Sequence, residues 1–402
     1  MKAMVKWIAV LMFVVLLAGC GSSKPTSPAP GAAPATAPAA PKAPIKVGGI
    51  FDLTGGTGDV GKPHSEGVRA YVAYINSKGG VDGAKIDLQW VDYAYQTPKA
   101  VEAYNKLTKQ DGVSAVMGWG TGDTEAMKEL IAKDKIPYIS GSYSEQLINP
   151  ATTPYNFIVA PTYSQASRVM LDYAKSKKAD AKVALVYNDS GFGKSPLEDA
   201  KAYAKKIGLT WTGEVVVPLT ASDAVTQVLE LQKMGADYVL IQETTNATAV
   251  TLKSAKQQGA KIQFMGLAYS VDENLIKAAG DAAEGFIGIP AFAFPYETGA
   301  GIKEAVDFAA SKGIKLEDLN QKWIQGWAFG RIMSEALKRA GDKPTGEAIR
   351  KAFESFKDYD LGGLGSPLTF TATDHGGAKK ARIYQVKSGK WQPITEYLAP
   401  KQ

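Results

Sequence analysis

The chain has 402 residues, 45% of them hydrophobic and 21% charged, and a formal net charge of +6. That length can bury a sizeable core and allows more than one domain. The basic residues form no dense block, which argues against a nucleic-acid partner and leaves solubility or weak attraction to anionic surfaces as the meaning of the charge. Cys20 is the only cysteine, so neither an intrachain disulfide nor a cysteine metal cluster can form.

Lys2 and Lys6 flank an apolar run from Trp7 to Leu17. A basic start, a short apolar stretch and small residues before a break describe a secretory signal over residues 1–19. A permanent membrane helix would need roughly 20 apolar residues. Leu17-Ala18-Gly19-Cys20 resembles the bacterial lipobox, which implies cleavage before Cys20 and acylation at that residue. More than one acyl chain would hold the protein stably at a bilayer. Residues 20–44, nearly all Ser, Pro, Ala, Gly, Thr and Lys after the cysteine, read as a solvated tether. The expectation is an exported, lipid-anchored chain whose folded part stands outside the cytoplasm.

From Ile45 the sequence alternates short apolar runs with amphipathic segments. Strands are expected at Ile45–Leu53, Ile86–Tyr93, Val113–Trp119, Pro137–Ser140 and Asn156–Val159, then at Lys182–Tyr187, Thr210–Val217, Ala236–Gln242, Ile262–Gly266 and Gly285–Pro290. Helices are expected at Pro63–Lys78, Pro98–Gln110, Thr124–Lys133, Tyr163–Lys177, Lys194–Ile207 and Asn246–Gln258. Pro63 suits a first helical turn, and Gly79-Gly80 suits a helix end that needs positive φ. This alternation predicts parallel sheets with helices on both faces, in two domains. The two series mirror each other: Gly112–Trp119 opens into Gly120–Thr124, and Gly235–Gln242 opens into Glu243–Asn246. Ligands of open α/β sheets bind outside the carboxyl ends of the strands, so both polar turns are expected at one cleft.

Gly56-Thr57-Gly58-Asp59-Val60-Gly61 satisfies a dinucleotide fingerprint as a string, but Pro63 is expected to start the helix after its last glycine, leaving a flexible turn at a cleft rim. Gly193-Lys194-Ser195 lacks the upstream glycine of a phosphate loop, since Asn188 stands there. His64 and His375 lie far apart, with no metal-ligand spacing around them, and no Gly-x-Ser-x-Gly nucleophile turn occurs. No cofactor, metal or catalytic residue is expected. The remaining candidates are polar helix starts. Gly120–Thr124 offers backbone N–H groups, a helix dipole and hydroxyls to a carboxylate, although Thr121 or Asp123 capping the helix would use the same chemistry. Asp123 would repel a carboxylate and accept an ammonium. Ser140-Gly141-Ser142-Tyr143-Ser144 offers hydroxyls and an aromatic face, or forms an ordinary loop.

Several strings together carry a family resemblance: Gly48–Gly83 with its closing "NSKGGVDG", "NDSGFGKS" at Asn188–Ser195, "QFMG" at Gln263–Gly266 and "AAEGF" at Ala282–Phe286. In order and spacing they resemble a periplasmic solute-binding protein of the branched-chain amino-acid (Leu/Ile/Val-binding) family, in lipoprotein form. The resemblance implies a type I periplasmic binding protein, an α/β fold of two Rossmann-like lobes with parallel sheets, joined by three crossovers around a ligand cleft. The lobes would comprise residues 45–160 with 290–368, and 161–289 with 369–402. The partners implied are a small-molecule ligand and an ABC permease with its ATPase, and the binding protein would act as a monomer. By the same resemblance, Thr121, Gly122 and Asp123 with Ser142 and Ser144 face the ligand from the first lobe, and Phe192, Glu243 and Thr244 face it from the second. Tyr143 and Tyr269, with Phe192, offer rings on which an aromatic ligand would stack. Amino-acid binders of this group usually carry an acid just after "FMG" for the α-ammonium, whereas Leu267-Ala268-Tyr269 stands here. The ligand that the resemblance implies first is a small hydrophobic amino acid, with Asp123 or Glu243 substituting for the missing acid; the alternative is an aromatic or other small organic acid without an ammonium. A ligand-sensing receptor subunit and a small-amide or ester hydrolase are the remaining alternatives.

Overall fold

The structure is a computed structural model that describes residues 42–401; Cys20 and most of the expected tether lie outside them. The first sheet is built from β1 (Ile45–Phe51), β2 (Ile86–Asp92), β3 (Ala115–Gly118), β4 (Tyr138–Ser140) and β5 (Asn156–Phe157), in the order β2-β1-β3-β4-β5. All its pairings are parallel, with Val47 opposite both Leu88 and Ala115. Its crossovers are α1 (Gly58–Ser77), α2 (Thr97–Asn105) and α3 (Thr121–Asp134). Helix α4 (Tyr163–Lys177) then leads into the second sheet.

That sheet contains β6 (Lys182–Tyr187), β7 (Thr210–Val216), β8 (Tyr238–Gln242), β9 (Gln263–Gly266) and β10 (Ile287–Gly288). Between them run α5 (Gly191–Lys194), α6 (Leu197–Lys206), α7 (Val225–Met234), α8 (Thr245–Gln257) and α9 (Glu273–Ala279). The order β7-β6-β8-β9-β10 repeats the pattern of the first sheet. In such an order the first and third strands send their following helices to opposite faces, which opens a crevice at their carboxyl ends. The mirrored turns read from the sequence sit at these two switch points.

The chain returns to the first sheet for α10 (Ala300–Ser311), α11 (Gln321–Ala340) and α12 (Gly346–Glu354), then ends on the second with the hairpin β11 (Tyr384–Lys387) and β12 (Lys390–Pro393). It therefore passes between the sheets three times. The hairpin pairs antiparallel with β10, so the second sheet is parallel except at this edge. Helix α11 lies along α1 with its backbone in close approach: a Cβ on Gly67 would stand 2.0 Å from the Trp323 carbonyl oxygen, and one on Gly326 would stand 1.9 Å from that of His64. Glycine at both places is what allows the two helices to seal the core around Val68, Trp327 and Phe329.

Two expectations change. Helix α1 begins at Gly58, five residues before Pro63, so the glycine string enters the helix and does not remain a turn. The buried Asp52 carboxylate explains this start. It accepts the N–H of Gly55 (2.6 Å), the N–H of Thr57 (2.9 Å) and the Thr57 hydroxyl (2.7 Å), ordering the turn that feeds the helix. Pro63 then lies inside the helix, where its missing N–H removes one backbone bond. Second, residues 369–378, expected with the second lobe, pack on the first sheet. Ile158 bridges to Gly376, and Phe370 meets Phe157 edge to face at 5.4 Å.

Candidate ligand cleft

The carboxyl ends of the two sheets face one another across a small cavity whose water-accessible space is only about 10 Å³. That is close to the least that holds a single water molecule. From the first sheet, Thr57 and Val60 line it from the start of α1, Trp119, Gly120 and Thr121 from the β3–α3 junction, and Gly141 from the loop after β4. Tyr95 reaches it from the turn after β2. From the other side come Phe192, Thr244 and Tyr269, with Tyr163 at the first residue of α4.

The first wall is rigid because its polar groups bind one another. The Trp119 indole N–H donates to Thr57 Oγ1 (2.8 Å), which in turn donates to Asp52. The Ser142 hydroxyl donates to Thr121 Oγ1 (2.9 Å). Ala94 and Tyr95 both adopt positive φ, 51° and 55°, a costly conformation for residues other than glycine. Asp92 holds that turn by accepting the N–H groups of Leu53 and Ala94, each at 3.0 Å.

The second wall is aromatic. Tyr269 is packed on four rings: Trp119 at 5.2 Å, Phe192 at 5.6 Å, Tyr143 at 5.7 Å in a near-parallel stack, and Tyr163 at 6.5 Å. Its hydroxyl crosses the cleft to donate to the Gly141 carbonyl and accepts from Gln325 Nε2 (3.0 Å). Burial pushes the hydroxyls of Tyr143, Tyr163 and Tyr269 well above the usual tyrosine range, so they stay protonated. A second link across the cleft runs from the Asn246 N–H to Asp59 Oδ2 (2.8 Å).

Of the sequence candidates, Thr121, Phe192, Thr244 and Tyr269 line the cavity, and the others stand elsewhere. Tyr143 stacks behind Tyr269, and Ser142 serves Thr121. Ser144 donates to Glu125 (2.6 Å) and caps the short helical turn after it. Gly122 meets Gly191 across the cleft: a Cβ on Gly191 would lie 3.2 Å from its Cα. Asp123 turns behind Gly120 to accept from the Tyr93 hydroxyl (3.0 Å), and burial raises its carboxyl to about 7. Glu243 accepts from Asn188 Nδ2 (3.0 Å), and burial likewise lifts it well above the usual carboxylate range. Burial thus favours the neutral form of both acids, and each keeps one oxygen without a partner.

Sequence reading missed Thr57, Tyr95, Trp119 and Tyr163 as wall residues. Trp119 and Tyr163 carried a usable signal, since each stands where an apolar strand end or crossover meets a helix start. Tyr95 carried none.

The sequence matches the family described as "Periplasmic binding protein" over residues 44–390. The chain belongs to the periplasmic binding protein family. Its fold superposes on a branched-chain amino-acid ABC transporter protein from Thermus thermophilus with bound valine at a TM-score of 0.86, with 27% identity, covering 89% of this chain and 97% of that one. A fatty-acid ABC transporter substrate-binding protein from Thermomonospora curvata superposes at 0.79 with 26% identity, covering 89% and 92%. Leu/Ile/Val-binding protein homolog 7 of Brucella suis is 26% identical over 325 residues, which is 77% of this chain and 79% of the relative. Among the described residues of this periplasmic binding protein, no helix is long and apolar enough to cross a membrane.

Proposed function

We propose that this chain is the extracytoplasmic capture component of an ABC importer. It binds a small, largely apolar carboxylate between two lobes and delivers it to a permease and ATPase without chemistry. Cys20 would carry the lipid anchor, and residues 45–160 with 290–378 would form the first lobe. The observation that carries the reading is the cavity itself, enclosed at the switch points of both sheets. The N-terminal ends of α1, α3, α4 and α8 converge on it, and aromatic rings close it. Aligned N–H groups and the positive ends of helix dipoles favour an anionic head group, and the rings favour an apolar body.

The branched-chain amino-acid relatives support a hydrophobic amino acid as ligand, and the fatty-acid relative supports an acid without a basic nitrogen. Neither histidine lines the cavity, which weighs against a hydrolase. His64 is buried among Phe51, Trp119 and Phe329 without a hydrogen bond, while His375 stacks on Phe157 and contacts the Asn156 carbonyl (2.9 Å) and Glu354 (3.2 Å).

A thermal-shift panel of hydrophobic amino acids, 2-oxo acids, aromatic acids and short fatty acids tests this reading. A ligand at 100 times its dissociation constant is expected to add about 2.7 kcal/mol to the stability. A panel in which no carboxylate moves the melting curve would remove the capture reading.

A further inference from the structure

We infer that the cavity selects a small apolar carboxylate that carries no α-ammonium group, with Tyr269 as the residue that enforces this choice. The inference rests on the capture reading above and narrows its ligand class. An ammonium brings three N–H donors and no acceptor, so a buried site for it must supply acceptors, at least one of them charged. A carboxylate brings only acceptors and needs donors.

The acceptors of the first wall and of Tyr269 carry bonds of their own. The Gly141 carbonyl takes both the Tyr163 hydroxyl (3.3 Å) and the Tyr269 hydroxyl. The Tyr269 oxygen is itself occupied by Gln325. Thr57 Oγ1 takes the Trp119 indole N–H and gives its proton to Asp52, and Thr121 Oγ1 takes the Ser142 proton. Among the described residues that line the cavity none is acidic. The nearby acids are turned to other donors: Asp123 to Tyr93, Glu243 to Asn188, Asp52 to the turn before α1, and Asp59 to the N–H groups of Val60 and Asn246.

Hydroxyl and N–H donors face the cavity. The Thr121 oxygen accepts from Ser142, so its own proton points elsewhere, toward the Tyr163 hydroxyl. Thr244 is 1% exposed, lines the cavity, and its hydroxyl has no hydrogen-bond partner. The first N–H groups of α3 and α8 have no partner inside their own helices, and that of Asn246 is taken by Asp59 from α1. The nearest buried cation is Lys322, whose Nζ lies 5.2 Å from the centre of the Tyr269 ring, on hydrogen bonds to the carbonyls of Ala268 (2.7 Å) and Val271 (3.0 Å). The lining thus holds no carboxylate, and the unpartnered oxygens of Asp123 and Glu243 belong to side chains outside the cavity lining, so the lining offers a carboxylate hydroxyl and N–H donors but offers an ammonium no charged acceptor.

The test is calorimetry on the purified protein with three related ligands: leucine, its 2-oxo acid 4-methyl-2-oxopentanoate and its decarboxylated amine 3-methylbutylamine. The oxo acid is expected to bind at least about tenfold more tightly than leucine, a difference of about 1.4 kcal/mol, and the amine not at all. Leucine binding as tightly as the oxo acid, or more tightly, overturns the inference while leaving the capture reading intact. If no carboxylate of the wider panel binds, both fall. The Tyr269→Phe variant frees one acceptor site on the Gly141 carbonyl while keeping the ring. Its preference for oxo acid over leucine is expected to drop at least about threefold, whereas an unchanged preference would remove Tyr269 from the assignment.

Discussion

The two walls of the cleft are built by different means. The first wall, from Thr57 to Gly141, is set by its own hydrogen bonds: Asp52 orders Thr57, Thr57 holds Trp119, Ser142 holds Thr121, and Asp92 holds the turn that carries Tyr95. None of these bonds needs the other lobe. The second wall presents Phe192, Thr244 and Tyr269, and the contacts of its rings are largely with Trp119, Tyr143 and Tyr163 beyond it. On the capture reading, the two walls would then play different parts: a polar head group would meet a surface ordered by its own bonds, whereas the rings of the second wall owe their burial to the first.

The largest effect that would sharpen this contrast belongs to Trp119→Ala. Trp119 is buried, bonded to Thr57 and packed against His64, so its loss is expected to destabilise the unliganded protein by about 3–5 kcal/mol. A denaturant midpoint equal to that of the parent protein would show that the first wall is not preformed. A smaller effect of a different kind is expected for Phe192→Ala. Removing a ring buried mainly by closure should weaken ligand binding by about 1.5–3 kcal/mol, roughly 10- to 100-fold, with little change in unliganded stability. An equal loss in both measurements would place Phe192 in the core of its lobe and break the contrast.

The smallest expected effect is a pH dependence behind the first wall. Burial holds the His64 imidazole down to about 3. With the folded value depressed below the unfolded value, the unfolded chain binds the extra proton. This group's contribution is therefore fully present above about pH 6.5 and is lost as pH falls toward 3. Between pH 7.5 and 5.5 that amounts to about 1.4 kcal/mol. His64→Phe is expected to lessen that part of the slope in thermal melts, and a slope unchanged by the substitution would move the pH sensitivity to other groups.

Much of the architecture was legible because its signals are local. Lys182–Tyr187 is apolar and bounded by polar residues, and β6 has those same ends. Gly79-Gly80 closes α1 as expected, with the Gly80 N–H reaching the Ile75 carbonyl (2.9 Å) at positive φ. The candidate site was legible only in part. Asp123, Ser144 and Glu243 have the right chemistry and stand at the right strand ends, yet each turns to a partner closer than the cavity. Tyr95 shows no local sign of its role, since what sends its ring into the cleft is a strained turn held by Asp92.

The strand–helix alternation, the two mirrored halves and a cleft at their polar strand ends could all be read from the residues alone. Hydrophobic period and turn chemistry act over a few residues and need no knowledge of the rest of the chain. Where α1 begins, where residues 369–378 pack and which polar groups face the cavity followed from the fold as a whole. Those outcomes depend on meetings such as that of Tyr269 with Gly141, 128 residues apart, where a hydroxyl from one lobe consumes an acceptor on the other.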